Sequence, residues 1–363
     1  MFNSSYKNKR VLITGHTGFK GSWLALWLSQ MGAKITGYSL QPHTNPNHFQ
    51  LLGLDINSVI GDVRDADKIK QVFRENQPEI VFHLAAQAIV RLSYKDPFET
   101  FSSNVMGTVN VLEASRTCDS IRAVVIVTSD KCYENREWSW GYREIDALGG
   151  YDPYSASKGC AEIVTNCWRN SFFNPKDYGN THQTLLASAR AGNVIGGGDW
   201  AADRLIPDIM RAVYQYEKVK IRNPNATRPW QHVLEPLSGY LLLGQKLLVG
   251  QKDFAEAWNF GPSDRENVSV GEIVHQVKKV WPKIDYEIHQ NPNQPHEADL
   301  LRLDCSKARI KLKWVPAWTG QQTIEKTAQW YKDFYESSSI QSLENLNDYI
   351  ADAQSKHIAW AKE

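Results

Sequence analysis

The chain has 363 residues, of which 42% are apolar, so it is long enough for one large or two medium domains with a full core. Its 41 basic and 40 acidic side chains give a net charge of +1, which argues against non-specific binding to nucleic acid or to a membrane surface. Because the five cysteines lack the paired spacing of a metal site, and neither a signal peptide nor a transmembrane run is visible, we expect a cytoplasmic protein with reduced thiols and no bound metal.

The first 190 residues alternate short β-rich runs with stretches of helical periodicity. The predicted strands are RVLITG, AKITGYSL, SVIGDV, EIVFHLAA, IRAVVIVTS and QTLLASARA. The predicted helices between them are FKGSWLALWLSQMG, ADKIKQVFREN, FETFSSNVMGTVNVLEASR and PYSASKGCAEIVTNCWRNSF. Strands that alternate with helices indicate βαβ units, so the predicted fold class is α/β, a Rossmann-type doubly wound parallel sheet.

After residue 191 the alternation ends, and prolines and glycine-rich loops separate shorter elements. We assign residues 1–190 to a dinucleotide-binding domain, to which some later segments return. Residues 191–363 are assigned mainly to a smaller C-terminal α+β lobe that holds the substrate. The segment from Ser342 to Glu363 is predicted to form a surface helix.

Three glycines, Gly15, Gly18 and Gly21, separate the first strand from the first helix with the spacing GxxGxxG. Glycine allows a tight turn and the close approach of a pyrophosphate, and a helix N-terminus offers N–H donors to that anion. A glycine-rich turn without a ligand is the alternative, but the position at the start of a βαβ series favours a dinucleotide. Neither an acid for the ribose of NAD nor a cation for the phosphate of NADP occurs between Tyr38 and Leu52. NAD is the expected cofactor, and NADP stays possible.

A phenol and an amine are spaced four residues apart in YSASK, so Tyr154 and Lys158 lie on one face of a helix. A tyrosine that acts as a base near neutral pH needs its pKa lowered by about three units, roughly 4 kcal/mol. One cation about 4 Å away provides an energy of that order. A coincidental YxxxK on an amphipathic helix is the alternative. The glycine loop before it, and the hydroxyl of Ser129 at the end of the preceding strand, favour a catalytic pair.

Four motifs, TGHTGFKG, HLAAQ, YSASK and RAGNVIGGGDW, resemble those of the extended short-chain dehydrogenase/reductase superfamily. Two more, VTSDKCYEN and RPWQHVLEPLSGY, are similar to those of the CDP-glucose 4,6-dehydratases within it. The resemblance extends from Lys9 to about Trp330. It implies the dehydration of CDP-D-glucose to CDP-4-dehydro-6-deoxy-D-glucose in bacterial dideoxysugar and O-antigen synthesis, with the nicotinamide cofactor recycled.

The resemblance also implies roles for the residues around these motifs. Tyr154 would take the proton of the C4 hydroxyl, while Ser129 holds that oxygen and Lys158 tunes the phenol. Asp130 would protonate the departing C6 hydroxyl. Lys131, where other sugar dehydratases usually carry glutamate, would either remove the C5 proton or stabilise the enolate, and the sequence leaves both open.

Binding residues follow from the same motifs. The cofactor is expected to contact Tyr154 and Lys158 and the residues Gly15, Thr17, Gly18, Phe19, Gly21, Asp62, Val63, Leu84, Ala85 and Ala86, with Asp62 at the adenine. Arginine binds phosphate in a bidentate manner, so Arg204, Arg228 and Arg302 are candidate substrate ligands, beside the amide of Asn193. Trp200 and Trp230 are the two tryptophans that we consider for stacking on the sugar.

Two other functions fit parts of this pattern. A different nucleotide-sugar 4,6-dehydratase or a 4-epimerase shares the glycine loop and the Tyr154–Lys158 pair, but an epimerase does not need Asp130 and Lys131. A regulatory scaffold that only binds the cofactor would not need Ser129. Relatives pair through the helix that carries Tyr154 and the helix after the fourth strand, so we expect a homodimer or a homotetramer.

Overall fold

The structure, a computed structural model, describes residues 1–221, 224, 227–262, 268–288 and 301–362, and only the backbone of residues 227 and 228. Its strands are β1 (Arg10–Thr14), β2 (Lys34–Ser39), β3 (Asn57–Ile60), β4 (Ile80–His83), β5 (Ala123–Val127), β6 (Leu185–Ala191), β7 (Val194–Ile195), β8 (Val219–Ile221), β9 (Thr227–Arg228), β10 (Gln231–His232), β11 (Ala257–Phe260), β12 (Val268–Ser269) and β13 (Tyr286–Ile288).

The α-helices are α1 (Phe19–Gln30), α2 (His48–Leu52), α3 (Ala66–Asn76), α4 (Val90–Lys95), α5 (Pro97–Phe101), α6 (Gly107–Arg116), α7 (Pro153–Ser171), α8 (Leu205–Tyr214), α9 (Leu234–Leu248), α10 (Val270–Val280), α11 (Gly320–Ser337) and α12 (Ser342–Ser355). A π-helical turn, Ser102–Met106, joins α5 to α6. All six predicted strands are present as β1 to β6, and the four predicted helices are α1, α3, the stretch from α5 to α6, and α7.

Seven parallel strands form the central sheet in the order β11-β6-β5-β4-β1-β2-β3. The chain therefore moves outward in one direction from β1 to β3 and in the other direction from β4, as in a doubly wound Rossmann sheet. All residues of β4, β5 and β6 are buried, because helices cover both faces of the sheet. The predicted fold class is confirmed. The reversal of direction between β1 and β4 creates a crevice at the carboxyl ends of these strands, where such folds bind ligands.

The second half of the chain contributes to two cores. One core covers a face of the sheet and combines α1 with α9, β11 and the C-terminal Trp360. The other core lies among α8, α10 and α11 and includes Trp200, Trp230 and Trp281. Segments after residue 190, among them α9 and β11, therefore pack with the predicted dinucleotide-binding domain. The division into a cofactor part and a substrate part stays a prediction.

The C-terminal helix α12 is only partly at the surface. Leu346 and Tyr349 are fully buried, and the phenol of Tyr349 donates a hydrogen bond to Glu235 in α9 at 2.7 Å. The prediction of a surface helix is confirmed for Ser342–Ser355, whose outer face is exposed, but the helix ends there and a 3₁₀ turn, Ala359–Ala361, follows with Trp360 buried. Among the described residues, none of the helices combines the length and the apolar character needed to cross a membrane.

Candidate active site

The glycine loop closes tightly between β1 and α1. Gly15 adopts a left-handed φ of 78°, and its N–H donates to the carbonyl oxygen of Tyr38 in β2 at 2.9 Å. A methyl group on Gly15 would lie 2.8 Å from the backbone nitrogen of Ala85, and one on Gly21 would collide with the carbonyl oxygen of Gly15. Glycine is therefore required at these two positions because backbone occupies the space of a side chain.

The helix that follows the loop begins without a side-chain cap. Gly18 occupies the N-cap position of α1, and no side chain accepts a hydrogen bond from the first N–H groups of the helix. These donors, with the positive end of the helix dipole, suit a diphosphate. The residues of the loop therefore fit a dinucleotide.

The other predicted cofactor residues lie at the same edge of the sheet. The N–H groups of Leu84 and Ala85, just after β4, donate to the carbonyl oxygen and the hydroxyl of Thr14, at 3.1 and 3.2 Å. Asp62 follows β3, and its carbonyl oxygen accepts from Tyr38 at 2.7 Å. The adjacent Val63 is buried. The structure thus gathers these predicted residues at the carboxyl ends of β1, β3 and β4.

The end of β2 differs from an acid-bearing ribose site. The hydroxyl of Thr17 lies 2.8 Å from that of Ser39 and donates to the carbonyl oxygen of Leu40 at 3.0 Å. The predicted Thr17 contact would therefore involve its backbone rather than its hydroxyl. Asp62 remains a negatively charged acceptor, because hydrogen bonds from Arg64 lower the pKa of its carboxyl.

A methyl group on Gly21 should weaken cofactor binding more than it weakens the fold. In Gly21→Ala the loop must shift away from the carbonyl of Gly15, and an overpacked contact of this kind costs about 1–3 kcal/mol, roughly a 5- to 150-fold loss of affinity. Calorimetric titration with NAD measures it. Gly53→Ala, at a left-handed position with open space around it, should keep the wild-type affinity; equal affinities in all three proteins would contradict the assigned cradle.

The hydroxyl and the carboxyl after β5 form one buried group. Ser129 caps the 3₁₀ turn Asp130–Cys132, and its Oγ donates to Oδ1 of Asp130 at 2.9 Å. A methyl group on Gly192, just after β6, would lie 2.8 Å from Oδ2 of Asp130. Burial raises the pKa of Asp130, and the charges of Lys131 and Lys20 and the hydrogen bond from Ser129 offset that rise only in part. The carboxyl is therefore suited to carry a proton at a higher pH than an exposed aspartate.

The phenol and the amine on α7 are both buried on one face of the helix. The helix begins at Pro153, with Asp152 as its cap, so Tyr154 and Lys158 occupy its first two turns. Burial raises the pKa of Tyr154 to about 12, and the side chain of Ser129 opposes that rise only in part. Burial also lowers the pKa of Lys158 to about 8. The prediction that one nearby cation brings the pKa of the phenol close to neutral is therefore wrong for the protein without ligand, because burial of the phenol raises its pKa.

The candidate substrate ligands are only partly brought to this group. Arg204, the N-cap of α8, donates to Asp199 at 2.8 Å, and its charge also lowers the pKa of Tyr154. Asn193 lies in the turn between β6 and β7. The carbonyl oxygen of Arg302 accepts from the N–H of Tyr142 at 2.9 Å. The side chain of Arg228 lies outside the described residues. Their roles as substrate ligands stay predictions.

The two tryptophans considered for sugar stacking are buried in the second core. Trp200 packs against Trp330 and Tyr331 and donates to the hydroxyl of Tyr335 at 3.0 Å. Trp230 is 7% exposed. Trp200 therefore acts in packing, whereas Trp230 is exposed to the same extent as Ser129 and Lys158, and its contact with the sugar stays a prediction.

Sequence reasoning missed two charged residues of the site. Lys20, in the first turn of α1, has a pKa lowered to about 8 by burial and by the charges of Arg204 and Lys158, against the attraction of Asp130. A lysine in the first turn of a helix is unfavourable because its charge opposes the helix dipole, and this unusual position could have identified Lys20 from the sequence. Glu162 is buried against Arg190. It follows Lys158 by four residues, the spacing that also joins Tyr154 to Lys158, and this spacing could have identified it from the sequence.

A family model described as GDP-mannose 4,6 dehydratase matches residues 12–327, most of the chain. The chain belongs to the GDP-mannose 4,6-dehydratase family. One relative, the CDP-glucose 4,6-dehydratase of Salmonella typhimurium, is 52% identical over 350 residues, which cover 95% of this chain and 97% of the relative. The resemblance to dehydratases of the short-chain dehydrogenase/reductase superfamily is thereby confirmed.

Solved structures share the fold of this GDP-mannose 4,6-dehydratase family member. The dTDP-glucose 4,6-dehydratase of Bacillus anthracis, in complex with NAD, has a TM-score of 0.73 and 20% identity over 92% of this chain and 99% of that one. The UDP-glucose 4-epimerase of Thermus thermophilus, also in complex with NAD, has a TM-score of 0.76 and 22% identity, covering 89% of this chain and 99% of that one. Since dehydratase and epimerase match equally well, the fold alone does not separate the two activities.

Proposed function

We propose that the protein is an NAD-dependent nucleotide-sugar 4,6-dehydratase that converts CDP-D-glucose to CDP-4-dehydro-6-deoxy-D-glucose. The observation that carries the proposal is the 52% identity, over nearly the whole length of both chains, to a protein named for that activity. The site supports it, because a phenol, a hydroxyl, a carboxyl and an ammonium are close together beside a cradle for a dinucleotide.

The first stage of the reaction is the oxidation of C4. Tyr154 takes the proton of the C4 hydroxyl, and Ser129, whose side chain acts on the pKa of Tyr154, holds the same oxygen. Lys158 stabilises the phenolate by its charge. Bound NAD would supply the acceptor for a hydride from C4 and later its donor to C6, while C5 regains a proton.

The second stage is the loss of water across C5 and C6. The ketone at C4 makes the C5 proton acidic, and Asp130 gives its proton to the departing C6 hydroxyl. The raised pKa of Asp130 keeps that proton available. Lys131 removes the C5 proton or stabilises the enolate. Its positive charge acts on Asp130, so the two side chains are electrostatic neighbours.

NAD is the proposed cofactor because the uncapped α1 N-terminus and the glycine cradle fit its diphosphate. Two structures of the same fold are complexes with NAD. Asn193, Arg204, Arg228 and Arg302 are the proposed contacts to the nucleotide end of the substrate. The five cysteines are free thiols, which supports a reducing compartment, and we place the reaction in the cytoplasm.

The proposal is tested by incubating the protein with NAD and with CDP-, UDP-, GDP- or dTDP-glucose in parallel, followed by alkali. A 4-keto-6-deoxy sugar gives an enolate that absorbs in the near ultraviolet. We expect this absorbance with CDP-glucose and much less with the other three sugars. An epimerase would change the sugar without the absorbance, and a scaffold would leave all four sugars unchanged; either result overturns the proposal.

We also propose that two copies pair through α7 and the stretch from α5 to α6. Large apolar side chains are exposed on this side, among them Phe98 (82%), Met106 (51%) and Ile163 (58%). Exposed apolar side chains grouped on neighbouring helices indicate an interface, and relatives of the superfamily pair through these helices. A homotetramer would add a second contact.

Ile163→Glu should therefore weaken self-association by about thirtyfold or more, because a charge at the centre of an apolar interface costs about 2 kcal/mol or more. Sedimentation velocity measures the change. Val249→Glu, at an equally exposed apolar residue after α9, is the control and should associate as wild type does. If Ile163→Glu associates normally, the pairing surface lies elsewhere.

A further inference from the structure

A buried carboxylate continues the catalytic face of α7 by one turn. Tyr154, Lys158 and Glu162 are spaced four residues apart, so their side chains line one face of the helix. Glu162 is 3% exposed, and a glutamate at that depth needs partners. The proposed reaction assigns it no role.

Three donors bind the carboxylate, one directly after β5 and two in β6. Oε1 of Glu162 accepts from Thr128 at 2.5 Å, and Oε2 accepts from Ser188 at 2.7 Å and from Arg190 at 2.8 Å. Burial raises the pKa of Glu162, but Arg190 and these hydrogen bonds outweigh it and lower the pKa overall, so the group is ionised. Thr128 directly precedes Ser129, so the same carboxylate ties α7 to the strand end that carries the catalytic hydroxyl.

Arg190 is itself held in place. Its Nη1 donates to the hydroxyl of Tyr133 at 2.6 Å, and its guanidinium lies over the ring of Tyr133 at 4.9 Å. Tyr133 in turn donates to Asn259 in β11 at 2.8 Å. A buried ion pair of this kind is often no more stable than apolar residues of similar size, so stability is a weak reason for its presence.

The charges around Lys158 indicate what the carboxylate does. Burial favours the neutral amine, and Glu162 is the largest influence that opposes it, ahead of Cys132. Lys20 and His83 also interact with Lys158, but a lysine cannot stabilise an ammonium and the buried His83 has its own pKa lowered to about 3. Around Glu162 itself, the facing charged or ionisable groups are Arg190, Arg169, Lys158 and Cys132.

We propose that Glu162 is a positioning residue of the dehydratase: its carboxylate, fixed by Arg190, Thr128 and Ser188, is the counter-ion that keeps Lys158 an ammonium beside Tyr154. The inference rests on the proposed function for its catalytic meaning. Its physical content, the ionisation of Lys158, is independent of the substrate. Without this counter-ion the buried lysine loses its proton near neutral pH, and the phenolate of Tyr154 loses its stabilising charge.

The test is a pH titration of the lysine side chains by NMR, on full-length protein labelled at lysine Cε and Nζ. Lys158 and Lys20 both have pKa values lowered to about 8, so the variants Lys158→Arg and Lys20→Met assign the two signals. In Glu162→Gln we expect the midpoint of Lys158 to fall by about one pH unit or more, the effect of losing an opposite charge one helical turn away. The alkaline limb of kcat should move to lower pH by a similar amount.

A matched variant separates charge from packing. Thr128→Val removes one hydrogen bond to Glu162 and leaves the carboxylate, so the midpoint of Lys158 should stay near that of wild type. If Glu162→Gln does not fold, Glu162→Gln/Arg190→Met removes both charges, and the midpoint should still fall. An unchanged midpoint in the folded Gln variant, single or double, overturns the proposal. Since the titration needs no substrate, its outcome is distinct from failure of the keto-sugar assay.

Discussion

Lys131→Met should stop the elimination of water while leaving most of the C4 oxidation. The variant removes the amine that acts at C5 but leaves Tyr154, Ser129 and Lys158 in place. Loss of a group that transfers a proton, or stabilises the charge left by it, costs about 10²- to 10⁴-fold in rate. We expect that loss in keto-sugar formation and in solvent deuterium incorporation at C5. Reduction of added NAD by CDP-glucose should fall less than about tenfold, because oxidation precedes the step at C5.

Lys131→Arg decides between the two roles that stay open for this side chain. Arginine remains charged and cannot act as a base at accessible pH, but it can stabilise an enolate. Partial recovery of deuterium incorporation in Lys131→Arg therefore indicates a stabiliser, and a loss equal to that of Lys131→Met indicates a base. If both variants lose C4 oxidation and C5 exchange to the same extent, the assignment of Lys131 to the elimination is wrong.

The first half of the fold was predictable because its signals are local. Helix α3 begins and ends where the periodicity of ADKIKQVFREN does, with Asp65 as its N-cap. The continuous apolar run of β5 marks a strand buried on both faces. The seventh strand, β11, has only four residues and pairs with β6, about seventy residues earlier in the chain. A pairing at that separation has no local signature, so its place in the sheet appears only in three dimensions.

The site was predictable in its residue types and less so in its electrostatics. Ser129 and Asp130 follow β5 directly, and both act on the pKa of Tyr154 at the start of α7, the next α-helix, so their proximity follows from the order of the motifs along the chain. Motif spacing did not show the depth of burial, which controls the pKa of Tyr154 and of Lys158. Burial depends on every segment packed over the site, including α9 and the loop before α8, and no short pattern contains it.

The same limit explains the tryptophans and the missed cations. An aromatic residue beside a glycine-rich loop is equally compatible with sugar stacking and with core packing, and Trp200 joins a core completed by α11. Lys20 was passed over because the loop around it was interpreted only through its glycines. Its charge acts on Asp130, which comes from the other side of the crevice.

Tyr154→Phe should abolish the reaction at its first step. The substitution keeps the ring that fills the buried site and removes only the hydroxyl, so the fold should survive. Loss of the base at C4 is expected to lower keto-sugar formation by about 10³-fold or more, at the upper end of general-base effects. Unlike Lys131→Met, this variant should show no reduction of added NAD, and the two variants together divide the reaction into oxidation and elimination.

The pH dependence of C4 oxidation in the wild-type protein follows from the pKa values of Tyr154 and Lys158. Because burial raises the pKa of Tyr154 to about 12, the phenolate is scarce at neutral pH, and its population rises with pH. C4 oxidation should therefore accelerate as the pH increases, until Lys158, with a pKa of about 8, begins to lose its proton and its stabilising charge.

Tyr240→Phe is the matched control for Tyr154→Phe, because Tyr240 is also buried and its hydroxyl has no hydrogen-bond partner among the described residues. Tyr240→Phe should keep most of the activity and the same pH profile. A similar loss of activity in Tyr240→Phe and in Tyr154→Phe would mean that removing any buried phenol disturbs the site and that Tyr154 is not the base.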